Sequence, residues 1–210
     1  MLASPDRADT RAVRREATKA RILEAAWRLA ARDGLAGVSL RDIADEVGMR
    51  APSLYRYFPS KNAMYDAMYA ESVVMLGEAV NGRPKSADPR RALRQRLDRL
   101  FRFLTREPLR FQLIDQRPIP GFEPTPESFA LSVTNIGELH KDLARAGVHS
   151  ERAADMWRAL ALGIVNQQIS NDPGGTRWTR LIDDTIDMFL AYYGDGGKGT
   201  NGRAGSGGRK

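Results

Sequence analysis

Between Val38 and Lys61 the chain runs VSLRDIADEVGMRAPSLYRYFPSK, a stretch that constrains the fold more than any other because it spells two short helices joined by a tight turn. Ser39 can accept a hydrogen bond from a backbone N–H of the turn that follows, and Asp42, three residues on, can reach back, as in a capping box. A helix therefore starts near Leu40. Ile43, Ala44 and Val47 share one face at helical spacing and leave Arg41, Asp42, Asp45 and Glu46 on the others. Gly48 supplies the left-handed backbone that ends this helix, and Pro52, with its preset φ, suits the first turn of a second one beginning near Ala51. The second helix has one strongly aliphatic position, Leu54, with Phe58 one turn on to pack beside it. Arg50, Ser53, Tyr55, Arg56 and Tyr57 are left to face outward. Such a surface fits a polar, anionic partner, and in a helix-turn-helix that partner is the major groove of DNA. Arg50 and Arg56 suit guanine edges or phosphate; Ser53, Tyr55 and Tyr57 suit phosphate or base. A small helical hairpin with a solvated basic face has the same spacing, so spacing alone leaves both readings open.

The pattern extends well beyond the turn. Ile22, Leu23, Ala25, Ala26, Leu29 and Gly34 mark a first helix and its end, then come Val38-Ser39-Leu40, Ile43-Ala44 and Val47-Gly48, and finally Ser53-Leu54-Tyr55, Tyr57-Phe58 and Lys61. From Arg14 to Met68 the chain resembles the N-terminal domain of the TetR/AcrR family of transcriptional regulators. The resemblance implies an all-α chain, with an N-terminal three-helix helix-turn-helix DNA-binding domain followed by a helical ligand-binding and dimerisation domain. It implies that Ser39 and Arg41 touch the DNA backbone, that Arg50, Pro52, Ser53, Tyr55, Arg56 and Tyr57 line the groove, and that Lys61 holds a phosphate. Pro52 departs from the family pattern, where many members carry glycine or another small residue; the fold tolerates it, but it bears on which bases are contacted.

The same resemblance supplies the expected partners: a palindromic double-stranded DNA operator, a second copy of the chain, and a small, largely apolar effector bound among the fourth to seventh helices. Met64, Met68, Met75, Phe101, Phe103, Phe111 and Phe129 would shape that pocket, with His140 and Gln112 as polar contacts. Methionines and aromatics at helical spacing are more often plain core. The last two long helices would pair with those of the partner subunit. Repression is the implied mode, since a dimer over promoter DNA excludes polymerase without any further contact.

Composition agrees. A formal net charge of +7 over 210 residues, with a pI near 10.0, suits an anionic partner, and the length allows one or two domains with a real core. Cysteine is absent, so disulfides and thiolate metal sites are ruled out. The amino terminus lacks the apolar core of a signal peptide and apolar runs such as Ala159 to Val165 are too short to cross a bilayer, so a cytoplasmic protein is expected. The two histidines lie apart from any carboxylate cluster, and no triad, phosphate-binding glycine loop or zinc motif is visible. No catalytic residue, metal or cofactor is therefore expected. The competing reading is a helical adaptor whose basic faces bind acidic partners without sequence-specific DNA recognition.

In chain order, the expected organisation is a flexible basic arm (1–12), the helix-turn-helix domain (13–60), the effector-binding and dimerisation domain (61–193) and a disordered glycine-rich tail (194–210). Arg7, Arg11, Arg14, Arg15, Lys19 and Arg21 follow one another closely at the start; they are phosphate contacts or an ordinary solvated face. Ser60 would cap a long helix from Lys61 to about Val80, stopped by Asn81-Gly82 and Pro84. A basic amphipathic helix follows from Pro89. Four prolines and a glycine between Arg117 and Pro126 preclude a regular helix and leave a loop able to act as a lid. The final helix is expected from about Thr176 to Gly194.

Overall fold

A computed structural model describes residues 5–81 and 86–195, with side chains from residue 10 onward. Gly82, Pro84 and the tail beyond Asp195 lie outside the described residues. Nine α-helices are present among those described: α1 (Pro5–Asp33), α2 (Leu40–Glu46), α3 (Ala51–Tyr55), α4 (Lys61–Val80), α5 (Pro89–Arg106), α6 (Pro108–Phe111), α7 (Pro126–Arg145), α8 (Glu151–Asn171) and α9 (Ile182–Tyr193). No strand occurs among the described residues, as the all-α reading requires. None of these helices is long and apolar enough to cross a membrane.

The chain divides by packing into two units, residues up to Ser72 with Leu109–Phe129, and Val73–Pro108 with residues from Ala130 onward. This differs from a boundary at residue 60. The part of α4 up to Ser72 belongs to the unit that holds α2 and α3, and so does the excursion 109–129 between α5 and α7.

In the first unit, Ile22, Ala25, Ala26, Leu29 and Ala30 form the buried stripe of α1, against which Ile43, Ala44, Leu54 and Phe58 close the core. Of the basic arm expected at 1–12, the residues from Pro5 are helical and part of α1, and residues 1–4 lie outside the described residues. Alanine and arginine are strong helix formers, proline is tolerated in a first turn, and nothing between Asp6 and Ala17 breaks the helix. Gly34 (φ 77°) and Gly48 (φ 68°) make the left-handed exits from α1 and α2. Ser60 caps α4, its Oγ accepting from the Ala63 N–H at 3.0 Å.

The excursion after α5, expected as a loop able to act as a lid, is fastened at both ends. Past α6 a single π-type turn, Gln112–Gln116, ends at Arg117 in the left-handed region (φ 46°). Ile119 and Phe122 are then buried, Phe122 5.6 Å from the ring of Tyr65. The Asp66 carboxylate accepts from the Thr125 N–H (2.7 Å), the Thr125 hydroxyl (3.1 Å) and the Ser128 hydroxyl (2.8 Å), fastening the far end. At the near end, Glu71 Oε2 accepts from both the Trp27 indole N–H and Arg110, each at 2.7 Å, while the Arg110 guanidinium lies 4.3 Å from the Trp27 ring. A segment that looks like a loop in sequence is thus tied to α1 and α4.

In the second unit α5 buries Leu93, Leu97, Phe101 and Leu104, and α8 and α9 meet through Trp157 and Phe189, whose rings lie 5.0 Å apart. Helix α9 begins at Ile182, later than expected, because the preceding turn has its own fastening. Buried Gln168 accepts from the Trp178 N–H at 3.1 Å and donates to the Asp172 carbonyl, while the Asp172 carboxylate accepts from the Arg177 N–H at 2.8 Å. That backbone bond, with Gln168, holds the Asp172 carboxyl below its ordinary value.

A part-buried polar chain links the end of α4 to α5 and α7. Arg96 donates to Asp142 at 3.0 Å and to Asn81 Oδ1 at 2.9 Å; Asn81 donates to Asn135 Oδ1 at 2.8 Å; and Asn135 donates to the Val73 carbonyl at 2.9 Å. Burial pulls the Arg96 guanidinium below its usual value, against the opposing pull of Asp142.

Candidate nucleic-acid interface

The turn between α2 and α3 sorts the expected residues cleanly. Leu54 (0% exposed) and Phe58 (4%) point into the first unit, while Arg50, Pro52, Tyr55 and Arg56 are exposed and Ser53 and Tyr57 partly so. Tyr55 is 50% exposed, a large ring held outside a well-packed core. Helix α3 is only five residues long, so its outer face is almost entirely these side chains.

Around it the groups expected to hold phosphates have structural duties as well. The Ser39 hydroxyl caps α2 by accepting from the Asp42 N–H at 3.2 Å, and donates its own proton to the Asp42 carboxylate at 2.6 Å. Asp42 thus reaches back to the hydroxyl, and Ser39 must release that bond before it can donate to a phosphate. Arg41 is exposed on the same helix. Lys61 donates to the Ala36 carbonyl at 2.9 Å and sits 5.4 Å from the Tyr65 ring, which fixes the start of α4 to the turn after α1. An ammonium has three N–H groups, so Lys61 can hold that carbonyl and still meet a phosphate.

One residue at this surface carries no distinguishing mark in the sequence beyond belonging to a basic run. Arg15 donates to the Arg56 carbonyl at 3.2 Å, and its guanidinium lies 5.1 Å from the Tyr57 ring. It closes the carboxyl end of the reading helix against α1. Arg28 pairs with Glu46 at 3.1 Å and does the same for the end of α2. Tyr65 is buried, and its hydroxyl donates to the Leu35 carbonyl at 2.7 Å; the methionine pattern of α4 gave no sign of it.

Residues 22–68, which contain this helix pair, match the profile of the bacterial regulatory proteins of the tetR family. This stretch is a regulatory domain of the tetR type, and the chain is a DNA-binding transcriptional regulator. Over 186 residues it is 29% identical to the HTH-type transcriptional repressor KstR of Rhodococcus jostii (strain RHA1), covering 85% of this chain and 84% of that protein. The TetR-family regulator PfmR from Thermus thermophilus is similar in structure, with a TM-score of 0.61 and 26% identity over 81% of this chain and 97% of that one. AibR, solved in complex with isovaleryl coenzyme A and operator DNA, shares the fold at a TM-score of 0.63 and 21% identity, over 81% and 96% of the two chains.

The residues expected around an effector fall in different places in this regulator. Met64 (1%), Met68 (0%) and Phe111 (2%) are closed into the core of the first unit. Met75, Phe101 and Phe103 belong to the second, where Met75 and Phe103 keep some exposure. Phe129 is 51% exposed and His140 is exposed, so neither sits inside an enclosed pocket. His140 instead edges a cavity of about 180 Å³ with Leu143, Val148, His149 and Ala154, which is too small for most effectors.

Proposed function

We propose that this TetR-family regulator is a repressor that acts in the cytoplasm as a homodimer, binds a palindromic operator and is released by a small, largely apolar effector. The observation that carries the reading is the outer face of α3, where Arg50, Pro52, Tyr55 and Arg56 are exposed around a fully buried Leu54. The adaptor reading needs basic faces open to acidic partners, and α5 argues against it. Arg94 and Arg96 pair with Asp98 and Asp142, both at 3.0 Å, and Arg90 and Arg94 with Asp187 and Asp183 of α9, so the charge of these arginines is matched within the chain.

Sequencing the genomic fragments that the protein retains would identify the operator. On it, Tyr55→Ala or Arg56→Ala should each weaken binding by about 1–3 kcal/mol and relax sequence preference, as loss of a base contact does. Lys61→Ala should weaken operator and unrelated duplex alike and lower the salt dependence, since phosphate contacts carry no sequence information. Operator affinity unchanged in both α3 variants would refute this docking.

A homodimer is supported by apolar side chains that the second unit leaves outside. Leu181 (38%), in the turn before α9, and Met188 (61%) and Tyr192 (48%) on it recur seven and four residues apart, and Met156 (41%) is exposed on α8. A stripe of this kind, on a two-fold axis, would set two reading heads on one duplex.

For the effector, the side chains that best fit a seat are Met75, Phe101 and Phe103, apolar and not all sealed into core. Helix α4 is one uninterrupted helix whose residues up to Ser72 belong to the reading unit and whose last turns belong to the second unit. A ligand favouring the arrangement of α4 that does not bind DNA must, by linkage, be weakened by operator DNA by the factor by which it weakens DNA binding. Ligands found by their release of the operator complex can be titrated against free and DNA-bound protein. Equal affinities would refute this coupling.

A further inference from the structure

Helix α1 continues past the domain it supports. Its core stripe runs Leu29, Ala25, Ile22 and Thr18 toward the amino terminus, and the same three- and four-residue spacing continues through Arg15 to Arg11. The stripe therefore changes from apolar to basic at the point where α1 leaves the core. Leu29, Ala25 and Ile22 are buried, Arg15 lies against Tyr57 and the Arg56 carbonyl, and from Thr10 to Ala17 every residue is exposed, Val13 at 62%.

Apart from the Arg15 contact, these exposed turns stand clear of the core. End turns of a helix with few packing contacts are its least stable part, so a partner that contacts them would stabilise them. Between Thr10 and Ala17 there are three arginines and one carboxylate, and that carboxylate, Glu16, already pairs with Lys19 at 3.0 Å. Resting on the operator reading above, the position beside Tyr57 makes these turns continuous with the DNA-reading surface, and the charge fits phosphate. We propose that the amino-terminal turns of α1 are a second DNA-contacting surface, in which Arg11 and Arg14 bind backbone phosphates of the duplex flanking the half-site read by α3. Arg15 is the positioning residue between the two surfaces.

The test uses the full chain, wild type and R11A/R14A, on two duplexes carrying the same operator: one trimmed to the half-sites, the other extended by about one helical turn at each end. Alanine keeps the helix, so the substitution removes charge without unwinding α1. Wild type should bind the extended duplex more tightly. The double variant should lose about tenfold on the extended duplex and under about twofold on the trimmed one, its salt slope falling by about one for each phosphate contact removed. Affinity and salt slope equal to wild type on both duplexes would overturn the proposal. Equal losses on both would place these arginines inside the half-site and overturn the flanking assignment. In either case specific binding by wild type leaves the α3 reading intact, whereas a wild type with no operator preference sinks the reading and this surface together.

Discussion

Asp142→Ala is expected to destabilise the second unit by about 3–5 kcal/mol, because it leaves the Arg96 guanidinium buried without its counter-charge. The Arg96 side chain is 9% exposed and that of Asp142 13%, so the pair is largely shielded from water. Arg145 also uses Asp142, at 2.8 Å, but its own side chain is 57% exposed and can turn to solvent. The damage should spread along the chain of bonds to Asn81 and Asn135. Asn135 packs so closely on α4 that a Cβ at Gly77 would lie 2.6 Å from its Oδ1. Urea denaturation of the single variant measures the loss. The double variant R96M/D142L, which removes both charges and refills the space, should recover most of it, since an apolar replacement of a buried pair is often neutral or better. A loss below about 1 kcal/mol in Asp142→Ala would mean that Arg96 is not held as described.

The second large effect separates the core of α8 and α9 from their outer face. The sequence assigns the subunit pairing to these two helices without saying which of their apolar residues face a partner; the structure buries Ile164 and Ile186 in their own unit, at 9% and 0% exposure. Ile186→Asp should therefore unfold the chain instead of separating subunits that stay folded, at a cost on the order of 3–5 kcal/mol for an uncompensated buried charge. That is a large share of a typical domain's stability, about 5–15 kcal/mol. Met188→Glu, on the exposed stripe, should leave the thermal transition within a few degrees of wild type. In sedimentation it should weaken self-association by tenfold or more. Dimers of wild-type strength in both Met188→Glu and Tyr192→Glu would move the interface away from this stripe.

Ile186 and Met188, two positions apart, show what helical periodicity alone leaves open. It reports that a face is apolar, and it cannot distinguish apolar side chains covered by the same chain from those left for another. The two residues belong to different faces of α9, and only the packing of α8 and α5 against that helix tells which is inside. The residues expected around an effector likewise divide between buried and exposed positions. Met64, Met68 and Phe111 are core because α4 and the 109–129 excursion happen to meet there, while Phe129 and His140 turn outward on α7.

What the sequence determined by itself is local. Ser39 with Asp42, Gly48, Pro52, Leu54 and Phe58 define two helices and the turn between them through capping, backbone freedom and spacing within about twenty residues, and these features lie where the sequence places them. The exposed set on α3 follows from the same spacing, because a five-residue helix with one buried leucine has few alternatives. Tertiary structure decided everything that depends on partners distant along the chain. Arg15 meets Tyr57 across more than forty residues, Glu71 gathers Trp27 and Arg110, Asp66 fastens Thr125 and Ser128, and Asp142 receives Arg96. A charged or polar side chain carries no mark of its partner in its own neighbourhood, since an arginine bound for water and one bound for a buried carboxylate look alike until the chain has folded around them.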